Sequence, residues 1–390
     1  MPVLFEAGRT LRGISRIVAR ERSSGRMRER TSERPRPIQS SPTPLINAVE
    51  DRLLQSKRPI SAFFEVTARC NFGCKHCVVD ERCSDMDTAQ VMRILDMLKQ
   101  LGCLYVLLSG GEPLMRSDIV EIIRAVKQRR MMPRVATNAY LIDAQVADRL
   151  AALGRTWFQV SLLGVTPEVY REITGVNDAF AKVVNAVRLL VERDMTVIAH
   201  APLITLNFAQ RHEIPRLAKS IGAVWWGFGP VIMPTVLGQT FPLQYRLTYD
   251  QFLTFYAETL TDGELQRWEV NPPEIYLKSQ VCGAAKTVVG VTYRGFLVPC
   301  GAFHWELRET NLLDEGVDPL DVFANHPGFV RARNMRVRDM PGCESCKQYV
   351  PFCSRCQAAL ERTGWSEAVR EQAYCEPARA IHKAYHQYHQ

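Results

Sequence analysis

The sequence has no run of the roughly 18 to 20 consecutive apolar residues that a membrane-spanning helix requires. Its start has no apolar core followed by a small-residue cleavage site, so the expectation is a cytoplasmic protein with no transmembrane segment. No G-x-G-x-x-G follows the first strand-like segment, which argues against an open nucleotide-binding sheet. Charge of one sign is also scarce over the body: the net charge is +8, and residues 1–40, with ten Arg against four Glu, supply +6 of it. A body this close to neutral argues against specific nucleic-acid binding, and the basic arm reads as a solvated extension.

What the chain does have is cysteine, twelve in 390 residues. Without an export signal these thiols are expected to stay reduced, so metal or redox chemistry is favoured over a disulfide framework. Three of them, Cys70, Cys74 and Cys77, fall within eight residues in "CNFGCKHC". Seven more crowd the last third: Cys282, Cys300, Cys343, Cys346, Cys353, Cys356 and Cys375. Cys83 and Cys103 stand apart, and Cys103, opening an apolar strand, reads as a small core residue.

The organisation follows from periodicity. After the arm, "RPRPIQSSPTP" (34–44) has linker composition, and the first division is residues 1–56. From residue 57 short β-type runs alternate with helical periods: "SAFFEVT" (61–67), a helix from Thr88 carrying Val91, Ile94, Leu95, Leu98 and Leu101 on one face and closed by Gly102, then "CLYVLLS" (103–109). Further strands are read at 134–137, 156–162, 196–203 and 223–228, with helices at 117–128, 143–153, around Val183–Val191 and 209–220. Six β-then-α units imply a parallel sheet covered by helices, and the count suits an α/β fold with a partial (β/α)6 TIM-like barrel over 57–261. The cysteine triplet begins three residues past the first strand, the barrel end where chemistry sits. The alternation stops near residue 262, and residues 262–376 hold too few apolar runs for an ordinary core, which points to a region built around metal. Residues 377–390 read as a terminal helix or tail, with His382, His386 and His389 on a solvated face.

Three thiolates at x3 and x2 spacing can ligate three irons of a cubane cluster and leave the fourth iron open; a zinc site with an open position is the alternative. The triplet, followed one unit later by "SGGEP" (109–113), resembles the radical S-adenosylmethionine (SAM) enzymes. That resemblance implies a 4Fe-4S cluster on Cys70, Cys74 and Cys77, its open iron chelated by SAM, with Gly110, Gly111 and Glu112 contacting the ligand's amino group. It also makes Thr137 and Asn138 in "ATNAY" and Ser161 in "VSLLG" candidate SAM contacts. Leu163 stands where many relatives carry Asp, so no catalytic residue transfers.

The later cysteines extend the likeness. Cys282, twelve residues, Gly295, four residues and Cys300 resemble the opening of the SPASM extension, which carries auxiliary iron–sulfur clusters. The C-x2-C-x6-C-x2-C block from Cys343 to Cys356 continues it, shifted by one residue from the usual gaps of five and three. By that pattern Cys343, Cys346, Cys353 and Cys375 close one cluster. Cys282, Cys300 and Cys356 hold another, whose fourth position is open or filled by a neighbour such as His304; a zinc ribbon is the competing reading. The resemblance implies reductive cleavage of SAM to a 5′-deoxyadenosyl radical, an electron donor of flavodoxin or ferredoxin type, and oxidative modification of a peptide or protein. The alternatives are a small-molecule radical enzyme and a non-catalytic electron carrier. Residues 4–22 have a basic helical pattern that is either a marginal helix or a dock for an acidic leader peptide, and of Trp225 and Trp226 one is expected to pack in the core while the other is a candidate for the substrate cavity wall.

Overall fold

The computed structural model describes residues 58–80, 85–261, 270–304 and 306–389; the basic arm, its helical pattern and Cys83 lie outside them. The expected first strand and first helix appear with the bounds read from the sequence, as β1 (Ser61–Thr67) and α1 (Thr88–Leu101). α1 begins where Asp87 and Gln90 cap each other and ends where Gly102 turns left-handed at φ 95°, and its five apolar positions are all buried.

The alternation continues through β2 (Tyr105–Gly110), α2 (Ile119–Gln128), β3 (Met132–Thr137), α3 (Ala144–Ala151), β4 (Trp157–Ser161), α4 (Pro167–Thr174), α5 (Ala179–Val191), β5 (Thr196–Pro202), α6 (Glu213–Ser220) and β6 (Val224–Gly229). α4 is an addition to the reading, an eight-residue helix that Thr166 caps and Gly175 closes. After α7 (Tyr249–Thr261) and α8 (Pro273–Lys278) come β7 (Val288–Val291) and β8 (Leu297–Val298). The strand order is β6-β5-β4-β3-β2-β1-β7-β8, parallel throughout except for the last pair, so the sheet keeps two edges and forms an open, partial barrel.

The cysteine-rich region departs from expectation in one respect. It shares the main core: β7 is buried at all four positions, pairs Ser61 with Val288 and Phe64 with Val291, and its apolar residues belong to one cluster with Phe64 and Val66. A four-residue strand is too short to register as an apolar run, yet it suffices once β1 supplies its ladder. The remaining helices are α9 (Pro319–Asn325), α10 (Pro327–Asn334), α11 (Gln357–Glu361), α12 (Glu367–Arg370) and α13 (Glu376–Tyr388), which packs along α7. On α13, His382 is not a solvated group: its ring meets Tyr349 at 5.1 Å and Phe352 at 5.3 Å, and burial pushes its pKa down.

Strand alternation sorts the two faces of the sheet. Ala62, Phe64 and Val66 are buried in the main apolar cluster, whereas Trp157, Gln159 and Ser161 on β4, and Ile198 and His200 on β5, are only half-buried and line the concave side. Gln159 pairs with Ile198 and Ser161 with His200 across that wall.

Candidate active site and cysteine clusters

The loop after β1 carries Cys70, Cys74 and Cys77, all half-buried. It is held from two sides. Gly73 and Lys75 donate backbone hydrogen bonds to Thr174 and Ile173 at the end of α4, at 2.9 and 3.1 Å. From the other side the Gly110–Glu112 segment donates through Gly111 N to Thr67 O and through Glu112 N to Arg69 O, both at 2.8 Å. The two glycines are required by that contact. A Cβ on Gly110, which sits at φ 121°, would fall 1.9 Å from Thr67 O, and one on Gly111 would fall 2.1 Å from Arg69 O. The glycine pair therefore joins the second strand's end to the root of the cysteine loop, main chain against main chain.

Glu112 is only 1% exposed. Its carboxylate accepts from Thr137 Oγ1 at 2.7 Å, from Asn138 N at 2.7 Å and from Leu114 N at 3.1 Å. Burial pushes its pKa up to about 7 even though these three donors pull the other way. Thr137 uses its hydroxyl proton on Glu112 and accepts from Ala139 N at 2.8 Å, so this side chain supports the carboxylate. Asn138 reaches the cysteine loop, donating from Nδ2 to Asn71 Oδ1 at 2.9 Å and lying 3.9 Å from Cys70 Sγ. Gly110, Gly111, Glu112, Thr137, Asn138 and Cys70 are thus one connected unit, whereas Ser161 lies on the next strand, one residue past the Val160 that pairs with Thr137, and sits beside His200.

The Glu112 environment makes a testable statement. Its folded pKa of about 7 exceeds the ordinary 4.5, so between these values the folded chain holds a proton that the unfolded chain releases, and stability falls as pH rises through that window. The gap of about 2.5 pH units corresponds to a loss on the order of 3 kcal/mol. Thermal unfolding of the SAM-free protein between pH 5 and 7 is expected to show that decline, and Glu112→Gln is expected to flatten it.

Sequence reasoning missed two side-chain pairs. His76, inside the cysteine loop, lies within electrostatic reach of His200, and burial lowers their pKa values to about 4 and about 3, so both imidazoles are neutral near pH 7. Glu65, 3% exposed on β1, meets His304 Nε2 at 3.2 Å through one oxygen while its other oxygen is buried without a partner. His304 is therefore turned to the barrel wall. A charge inside "FFEVT" and a histidine inside "VIAHAP" were the available signals. Of the two tryptophans, Trp225 packs on Phe228 at 4.9 Å and Trp226 is 37% exposed, as neighbours on a strand must differ.

The seven later cysteines fall into two groups. Cys300 is pushed up by burial first and then by the thiols of Cys282 and Cys356. Cys343, Cys346 and Cys375 are each raised by burial and then by Cys353. Thiols that raise one another must lie close, so the chain gathers Cys282, Cys300 and Cys356 in one place and Cys343, Cys346, Cys353 and Cys375 in another. Among the described residues no three His, Cys, Asp or Glu side chains converge on a single ion. A cubane cluster spreads its thiolates over different irons and does not require that convergence. Cys103 is fully buried in the core, where its thiol is pushed up to about 12.

A partial barrel whose first strand ends in a C-x3-C-x2-C loop, pinned by a GGE segment, defines the class. Residues 64–218 match the model of the radical SAM superfamily, and the chain carries that domain. Among characterised relatives, mycofactocin maturase MftC of Mycobacterium tuberculosis is 28% identical over 83% of this chain and 84% of its own length. The PqqA peptide cyclase of Granulibacter bethesdensis is 24% identical over 84% and 89%. The AdoMet-dependent heme synthase of Methanosarcina barkeri is 26% identical over 80% and 95%. The crystal structure of Streptococcus suis SuiB bound to S-adenosylmethionine shares the fold, with a TM-score of 0.61 and 19% identity over 81% of this chain and 79% of that one.

Proposed function

We propose that this chain is a radical SAM maturase that oxidatively modifies a peptide or protein in the reducing cytoplasm. The observation that carries the reading is the cysteine loop locked, backbone to backbone, against Gly110–Glu112. Cys70, Cys74 and Cys77 would hold a 4Fe-4S cluster with one iron left for SAM. The SAM-bound cluster, once reduced, supplies a 5′-deoxyadenosyl radical able to take hydrogen from an unactivated C–H bond. The chain's own part is to bind, orient and keep water out. Asn138 ties the third strand to the cysteine loop beside Cys70. Glu112, held near neutrality by burial, becomes a full carboxylate when a cationic ammonium approaches, which favours an amino-acid ligand at that end of the barrel. The half-buried wall of Gln159, Ser161, Ile198 and His200 offers a concave surface for the substrate. The two later cysteine groups would hold auxiliary clusters that accept the substrate's surplus electron.

Similarity to the PqqA peptide cyclase favours a peptide, and similarity to the heme synthase favours a tetrapyrrole as the second reading. Anaerobically reconstituted protein with dithionite and SAM is expected to form 5′-deoxyadenosine; absence of that product overturns the enzymatic reading and leaves an electron carrier. Synthetic peptides copied from short reading frames beside the gene, and an iron-free tetrapyrrole as the rival probe, then separate the two substrates: mass loss in a peptide supports the proposal, and conversion of the tetrapyrrole alone refutes it.

A further inference from the structure

Two buried polar side chains beside the Cys282, Cys300 and Cys356 group have atoms with no partner in the protein. Arg362 caps the C-terminal end of α11, the helix whose N-terminal cap is Cys356. Its guanidinium donates to Ala302 O at 3.0 Å, two residues past Cys300, and to Pro234 O at 2.9 Å, in the segment after β6. Its Nε is buried without a hydrogen-bond partner. Tyr374, 2% exposed, has a buried hydroxyl that is likewise unpaired. The chain brings it in through a single π-helical turn, Glu371–Cys375, inserted between α12 and α13, and such widened turns favour functional sites.

Both groups interact with the thiols. Arg362 is within electrostatic reach of Cys356 and Cys300, of Tyr374, and of Asp80. Tyr374 is within reach of Cys356, Arg362 and Cys353, and its carbonyl lies 3.9 Å from Cys353 Sγ. Two other polar groups act on the trio: Gln357 Nε2 donates to Cys282 Sγ at 3.4 Å, and the half-buried Lys286 is within electrostatic reach of Cys282. A buried arginine Nε and a buried phenol, each left unpaired, cost about 1–3 kcal/mol apiece unless something accepts their protons. Sulfides and thiolates of a cluster are such acceptors, and this is the fit between these residues and the group the trio would hold.

We propose that Arg362 and Tyr374 form the polar wall of the Cys282, Cys300 and Cys356 cluster, donating to its sulfur atoms and raising its reduction potential. The assignment rests on the reading that this trio binds an iron–sulfur cluster. Reduction adds one electron to a buried site, and a neighbouring cation and a hydroxyl donor stabilise the more negative state. With only three thiolates, the cluster carries one negative charge fewer than a four-cysteine cluster, so both features favour accepting an electron.

The test is a redox titration of the reconstituted full-length protein, followed by electron paramagnetic resonance without SAM or substrate. The signal missing in Cys356→Ala identifies the trio's cluster. Arg362→Gln is expected to disfavour reduction of that cluster by at least tenfold, about 59 mV for one electron. Tyr374→Phe, which removes only the hydroxyl, is expected to shift it in the same direction by less, and Arg362→Lys to restore most of the loss. Normal iron content with unmoved potentials in both Arg362→Gln and Tyr374→Phe overturns this assignment alone. Wild-type protein holding about eight irons, unchanged by Cys356→Ala, overturns the cluster reading and this assignment with it.

Discussion

Cys74→Ala is expected to abolish 5′-deoxyadenosine formation, down to the level of a protein-free control, while leaving most of the iron in place. The middle cysteine lies beside the backbone anchors of its loop: Gly73 and Lys75 on either side are hydrogen-bonded to the end of α4. The alanine variant therefore keeps the backbone anchors of its loop and loses the thiolate ligand. If all three cysteine groups bind cubanes, the wild type carries about twelve irons and the variant about eight. The auxiliary signals should persist. A variant that keeps twelve irons and still cleaves SAM would show that this triplet is not the cluster site. Paired with Cys346→Ala, which should lose a different four irons and retain SAM cleavage, the comparison separates the cleaving site from the accessory ones.

Much of this architecture was legible in the chain. The first strand and the first helix were readable to the residue because a capping Asp87, a terminating Gly102 and a continuous apolar stripe all coincide. The cysteine loop and the GGE segment were legible as a pair because strand-end loops of a barrel share one face. What was hidden depends on contacts between distant residues. β7 and β8 exist because β1 offers a free edge, a fact absent from the residues at 288–298. Glu65 and His304 are separated by 239 positions and meet only when the turn after Cys300 folds over β1. Thr137 was read as a ligand contact from its place at a strand end; that its hydroxyl donates to the buried Glu112 carboxylate depends on a residue 25 positions away and was hidden in the sequence.

The glycines before Glu112 yield the second large expected effect. Gly110 and Gly111 were read as contacts to the ligand's amino group; the structure shows in addition that the backbone at and after the end of β1 passes directly against them. Gly110→Ala faces two penalties at once. At φ 121° an alanine is strained by about 1–3 kcal/mol. Its Cβ would also lie 1.9 Å from Thr67 O, a main-chain atom that cannot rotate away, so the ends of β1 and β2 must part. Gly175→Ala isolates the first penalty: it too has positive φ, 78°, but nothing lies within 4 Å of the added Cβ. Thermal unfolding should therefore fall by a few degrees for Gly175→Ala and by roughly 10 °C or more for Gly110→Ala, at about 2–4 °C per kcal/mol. Because the parted strands carry Thr67 and Glu112, Gly110→Ala should also lose SAM cleavage, whereas Gly175→Ala should retain it. Equal melting temperatures for the two variants would show that the β1–β2 junction yields freely and that the close backbone contact does not constrain Gly110.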